Sequence, residues 1–243
     1  MGPGKRFFSA SPALSLHRSM SKPPVVVTFA LPEESGDFRQ ALRARRDADI
    51  QVEHIGVGPA IAAERIGRLL ARDQPRLIIC TGFAGGLDPQ LATADLVIGE
   101  NLSAPELLAR ARALAPPAGR CVVGGVISRA EPVESVEAKT ALFRETGALA
   151  VDMESETVAA ACRAAGVPLL VVRTISDPAG APLPVPFADW FNLDGQKPRV
   201  FGLLKYLARH PARIGPFAGF VRGLAPARRA LADFLVQFLA DGG

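Results

Sequence analysis

From Val25 onward the chain alternates strand-length apolar runs with longer amphipathic stretches, and that alternation leaves few folds open. Val25–Ala30 reads as a buried strand, Glu34–Ala48 as a charged surface helix, Ile50–Val57 as a strand and Pro59–Ala71 as a helix with Ile61, Ile66, Leu69 and Leu70 on one face. Leu77–Cys80 is a short buried strand that runs into the glycine-rich turn Thr81-Gly82-Phe83-Ala84-Gly85-Gly86. Leu96–Ile98, Cys121–Ile127 and Ala148–Val151 read as further strands. Ser155–Ala165 reads as a helix closed by Gly166 and Pro168, and Leu169–Thr174 as a strand ending in Ser176-Asp177. Strands alternating with helices predict a three-layer α/β/α sandwich around a mostly parallel or mixed central sheet. At 243 residues and 49% hydrophobic content, one large domain over 24–243 is expected, with a basic helical region at 197–243.

Charge separates the body from the ends. Residues 1–32 hold Lys5, Arg6, Arg18 and Lys22 and no acid; Gln196–Ala232 holds Lys197, Arg199, Lys205, Arg209, Arg213, Arg222, Arg228 and Arg229 and no acid. Removing these twelve from the 28 basic residues leaves 16 against 24 acidic ones, so the body is acidic although the net charge is +4. A nucleic-acid-binding body would carry the basic face itself, so none is expected as a partner. Residues 1–23 read as a disordered extension; Met20 as the true start, or a transit peptide, would each account for its composition. Cys80, Cys121 and Cys162 are odd in number and far apart, which fits neither a disulfide framework nor a metal site and suits a reducing cytoplasm.

The carboxyl ends of strands collect catalytic groups in such folds. Here those ends carry Glu33 and Glu34, the glycine turn, Asp152 and Glu154, and Ser176-Asp177. Each has a plain explanation: Glu33/Glu34 and Asp152/Glu154 suit helix starts, and Asp177-Pro178 suits a turn. Together, carboxylates facing one glycine turn suit sugar recognition and acid–base chemistry on a single ligand.

Gly56-Val57-Gly58, Thr81–Leu87, Val151-Asp152-Met153-Glu154 and Val171–Asp177, in that order, resemble the motifs of the methylthioadenosine/adenosylhomocysteine nucleosidase and purine nucleoside phosphorylase superfamily. The resemblance spans about residues 24–180. It implies an N-ribosyl hydrolase or nucleoside phosphorylase in which Asp177 protonates purine N7 and Glu34 orients the nucleophilic water. Glu154 would bind the ribose hydroxyls, with Met153 as an apolar wall. Ala84 and Gly85 would bring backbone groups to the base, flanked by Phe83 and Ser176, and Val133 would read the adenine edge, although Arg129–Pro132 departs from the family pattern. No metal or organic cofactor is implied, and a homo-oligomer is.

Phosphorylases of this superfamily place an arginine just before the glycine turn and a serine within it, where this chain has Cys80 and Phe83. Water is therefore the expected nucleophile; phosphate as co-substrate would need a charge from Arg39 or Arg129. The segment between Gly99 and Gly124 is shorter than in the small-substrate nucleosidases, which predicts an open pocket at the sugar's 5′ side, with Leu31 and Val57 starting an apolar channel. In the tail, Phe217, Phe220, Val221 and Leu224 form one apolar stripe and Leu231, Phe234, Leu235, Phe238 and Leu239 a second. The second is expected to pack on the sheet; the first would either pack there or lie on a membrane surface through the region 197–230. A basic tail and a short middle segment look like the hopanoid-associated branch of the superfamily. That branch implies a lipid-linked purine nucleoside, adenosylhopane, cleaved in the cytoplasm or at the inner membrane surface.

Overall fold

A computed structural model of the protein describes residues 22–45, 49–114 and 119–240. The expectations for residues 1–21 and for the end of the first helix at 46–48 lie outside them.

Eight strands form one mixed sheet. They are β1 (Val25–Phe29), β2 (Ile50–His54), β3 (Leu77–Gly86), β4 (Leu96–Gly99), β5 (Cys121–Gly124), β6 (Val126–Ser128), β7 (Ala150–Asp152) and β8 (Leu169–Asp177). The main order is β2-β1-β3-β8-β4-β5, with β4 antiparallel to β8 and β7 antiparallel to the end of β3. β1 and β8 are buried along their whole lengths, which is why their sequences read as unbroken apolar runs.

Helices α1 (Gly36–Arg45), α2 (Pro59–Asp73), α3 (Pro105–Ala113), α4 (Val136–Thr146) and α5 (Ser155–Ala165) connect the strands. α2 and α5 bury Ala62, Ile66, Leu69, Val158 and Cys162 on one face of the sheet. On the other face, α1 and α3 meet α8 (Ile214–Ala240), which contributes Leu231, Phe234, Leu235 and Phe238. Each fully buried aromatic of that layer stabilises the fold by about 2 kcal/mol. The three-layer sandwich is therefore present, and its last helix closes the second layer.

Three local expectations are corrected. The turn at Thr81–Gly86 is the continuation of β3, because Gly82–Gly85 pair with Arg173–Asp177 of a β8 that is itself longer than its apolar run. Cys121–Ile127 is two strands, since β5 pairs with β4 while β6 pairs with β7. Glu34 belongs to a 3-10 turn, Pro32–Glu34, ahead of α1 rather than to the helix. The two tail stripes lie on a single helix, α8, which continues through Pro226. Between β8 and α8 come a short helix α6 (Phe187–Trp190), a two-stranded hairpin (Phe191–Asn192 with Lys197–Pro198) and α7 (Val200–Arg209).

Candidate active site

The carboxyl ends of β1, β3 and β8 meet the N-terminal ends of α2 and α5 around one cavity of about 570 Å³, within the usual size for small-molecule sites. All eleven residues singled out from the sequence line it: Leu31, Glu34, Val57, Phe83, Ala84, Gly85, Val133, Met153, Glu154, Ser176 and Asp177.

Glu34 is buried and held by backbone donors from two elements. Its Oε2 accepts from Ala30 N (2.9 Å) and Leu31 N (3.0 Å), and its Oε1 from Phe83 N (2.9 Å). Burial pushes its carboxyl above the usual range, while these amides and Arg173 pull back toward the carboxylate. Gly82 makes the approach feasible: its φ is +142°, and a Cβ there would stand 2.9 Å from both Glu34 Oε1 and Arg173 Nη1.

Glu154 accepts a hydrogen bond from Gly58 N at 2.7 Å. Gly58 has φ +95° and caps α2, so the left-handed backbone aims an amide of the helix N-terminus at the carboxylate. Burial first and the neighbouring Asp152 second push the Glu154 carboxyl up to about 8.

Asp177 is buried at the end of β8, and Ser176 Oγ donates to its Oδ1 at 2.5 Å. Lys139 Nζ lies 2.5 Å from its Oδ2 and also donates to the carbonyls of Ala181 (2.9 Å) and Pro178 (3.2 Å). Burial raises the Asp177 carboxyl and Lys139 lowers it. Gly85 keeps the wall thin, because a Cβ there would stand 3.3 Å from Asp177 Oδ2.

Two cations escaped the sequence reading. Lys139, on the inner face of α4 one turn before Leu142, is fully buried. Arg173 is the single cation of β8 and interrupts its apolar run, and that interruption is the available signal. Its Nε pairs with Asp152 Oδ2 at 2.7 Å and its Nη2 reaches Ser155 Oγ (2.8 Å) and Cys80 Sγ (3.2 Å). Burial works against its charge, but Asp152, Glu154 and Glu34 outweigh it and Arg173 stays cationic. Asp152 also accepts the Glu154 and Ser155 amides, so it anchors the start of α5.

Among the described residues, no lysine or arginine belongs to the cavity wall. Arg39 lies on α1 outside the wall, and Arg129 sits in a separate shallow recess, its Nη1 bonded to Ser128 O. Apart from Glu33, Asp152, Ser176 and Gln196, the rest of the wall is mainly hydrocarbon. Leu31, Val57 and Met153 pack in one cluster with Phe187, Trp190 and Phe191, and Phe217, Phe220, Val221 and Leu224 of α8 continue it. The first tail stripe therefore does not pack flat on the sheet. Gln196 fastens this region to the glycine motif, with Oε1 accepting from Val57 N (2.8 Å) and Nε2 donating to Val57 O (2.9 Å).

A sequence profile described as the Phosphorylase superfamily matches residues 47–104 and 100–197. The chain belongs to that superfamily. Within it, the chain is 30% identical over 175 residues to a 5′-methylthioadenosine/S-adenosylhomocysteine nucleosidase of Marinomonas sp., covering 60% of this chain and 75% of that one. It is 28% identical to the nucleosidase of the same description from Shewanella halifaxensis, over 65% of this chain and 82% of the relative. Among solved structures, the futalosine hydrolase of Helicobacter pylori superposes with a TM-score of 0.66 at 18% identity, covering 90% of this chain and 97% of that chain. The 5′-methylthioadenosine/S-adenosylhomocysteine nucleosidase of the same organism gives 0.65 at 18%, covering 90% and 98%. Superfamily membership and fold thus agree with the motifs from Gly56 to Asp177.

Proposed function

We propose that the protein cleaves the N-glycosidic bond of an adenine nucleoside, with Asp177 as the acid and water as the nucleophile. The observation that carries this is the convergence of three buried carboxyls, Glu34, Glu154 and Asp177, on one cavity in a member of the phosphorylase superfamily. Asp177 gives its proton to N7 as the bond from N9 to C1′ breaks, so adenine leaves neutral. Glu34 takes a proton from the water that attacks C1′, and Glu154 accepts the ribose hydroxyls. Backbone donors hold Glu34 toward the anionic form that a base needs, while burial raises the Asp177 carboxyl toward the protonated form that an acid needs, against the opposing pull of Lys139 and Ser176. Val133 and Phe83, with Ala84 and Gly85, would enclose the base.

The lack of a cationic wall residue among the described residues supports water over phosphate, since a phosphate dianion beside C1′ would go uncompensated by that wall. The nucleosidases to which the chain is similar support the same choice.

The substrate in this reading carries a large apolar group at C5′, adenosylhopane of hopanoid synthesis being the compound proposed. The apolar cluster from Leu31 and Val57 to Trp190, continued by Phe217 and Leu224, supports it, because a short substituent would leave that wall wet. Peripheral membrane contact through 197–230 and a homo-oligomeric assembly belong to the same proposal. The test is free adenine released from adenosylhopane and from methylthioadenosine, with and without phosphate. Phosphate-independent release, faster from adenosylhopane, is expected. Release that requires phosphate would make the protein a phosphorylase, and preference for methylthioadenosine would remove the lipid substrate.

A further inference from the structure

The large apolar side chains most exposed among the described residues all stand on the C-terminal helices. They are Val200, Phe201 and Leu204 on α7 and Ile214 and Val221 on α8, with Phe201 81% exposed. The opposite side of α7, with Leu203, Tyr206 and Leu207, is half-buried, so α7 is apolar on the face turned to solvent as well. Around these residues Lys197, Arg199, Lys205, Arg209, Arg213 and Arg222 are exposed, and no acid occurs between Gln196 and Ala232.

The same elements border the cavity. Val221 is both exposed and part of the cavity wall. α7 packs so closely on α6 that a Cβ at Gly202 would stand 2.3 Å from Asp189 O, and Phe187 and Trp190 of α6 line the cavity.

We propose that α7 and the first turns of α8 dock the protein on an anionic lipid bilayer, and that the cavity receives its apolar ligand from the bilayer at Val221. The second half of this rests on the lipid-linked substrate proposed above; the docking narrows the membrane contact proposed there to one face and one lipid charge, and does not need that substrate. Charge selects the occupant. A second copy placed on this face would set one basic, acid-free segment against another, which like-charge repulsion opposes, whereas anionic headgroups complement it. A polynucleotide would satisfy the bases but leave Phe201 and Leu204 in water. α7 has ten residues, about 15 Å of helix, too short to cross a bilayer and suited to lying in its interface. No helix among the described residues is long and apolar enough to span a membrane.

The test is sedimentation of the full chain with vesicles of phosphatidylcholine alone and of phosphatidylcholine mixed with phosphatidylglycerol. Binding to the mixed vesicles only, weakening as salt rises, is expected. The double variant Phe201→Glu, Leu204→Glu should lower that binding about tenfold or more while turnover of a water-soluble adenine nucleoside stays at the wild-type rate. Binding equal in variant and wild type, or absent from the mixed vesicles, overturns the proposal. So does a wild-type dimer that binds no vesicle and that the double variant splits, which would give the face to a second copy. Failure to release adenine from any nucleoside would overturn the catalytic reading and leave the vesicle result standing.

Discussion

Lys139 Nζ lies 2.5 Å from Asp177 Oδ2, and the lysine side chain has no solvent exposure at all. The cation sits on α4, the acid at the end of β8, so the ion pair joins two elements far apart in the chain. Burial alone would leave Asp177 a weak acid that holds its proton, and Lys139 opposes that. The reaction proposed here needs both tendencies, because the proton must be present on Asp177 yet free to move to N7. Lys139 touches no reacting atom in this account; it positions and tunes Asp177.

Replacing Lys139 by methionine keeps most of the volume and removes the charge. Asp177 should then hold its proton to higher pH, so the alkaline limb of kcat/KM moves upward. Loss of one member of a buried ion pair should also cost about 3 kcal/mol of stability, read from the urea midpoint. A destabilised variant with an unmoved alkaline limb would make Lys139 structural only.

Glu34→Gln preserves shape but leaves no base to take the water's proton. The expected result is a fall in kcat of about a hundredfold or more with KM little changed, since Glu34 acts on the nucleophile rather than on nucleoside binding. A change confined to KM would reassign it to substrate binding.

The Glu154 carboxyl is pushed up to about 8 in the unliganded protein, mainly by burial. A folded-state value above the unfolded one means that the folded chain binds the extra proton, so this group's contribution to stability is full below the carboxylate range and is lost as pH rises through about 8. Glu34 and Asp177 are displaced in the same direction and add to the decline. Thermal unfolding of the free protein should show a Tm that drops over this window, and Glu154→Gln should flatten the drop. Equal slopes for the two proteins would mean that Glu154 is ionised throughout.

Gly82→Ala would place a methyl group 2.9 Å from both Arg173 Nη1 and Glu34 Oε1, at a φ that side chains avoid. Glu34 would have to move off the Phe83 amide. We expect a loss of turnover comparable to that of Glu34→Gln, together with a stability loss of at least about 1 kcal/mol. An unaffected rate would show that the Glu34 position is not critical.

Much of this architecture is legible in the sequence. Apolar runs such as Val25–Phe29 and Leu169–Thr174 report burial directly, and the carboxylates at their ends mark the side on which the cavity forms. What escapes the sequence depends on partners distant in the chain. The glycine run continues β3 because Arg173–Asp177 lies alongside it. The strand at Cys121 ends at Gly124, where a Cβ would overlap Leu149, before the chain turns to pair with β7. α3 and α4 are not among the helices that the sequence pattern marks, and α4 carries Lys139, a residue type that rarely reads as core. The tail stripe at Phe217 looked like either a sheet-packing or a surface element; it became a cavity wall because α8 overhangs the site, which only the tertiary arrangement reveals.

The central claim concerns Asp177, and Asp177→Asn tests it most directly. The amide keeps the size and the hydrogen-bonding reach of the carboxyl but has no acidic proton to give to N7. The account predicts that this variant binds an adenine nucleoside within a few-fold of wild type yet releases adenine at least about a hundredfold more slowly. Adenine release at a rate close to wild type would contradict it.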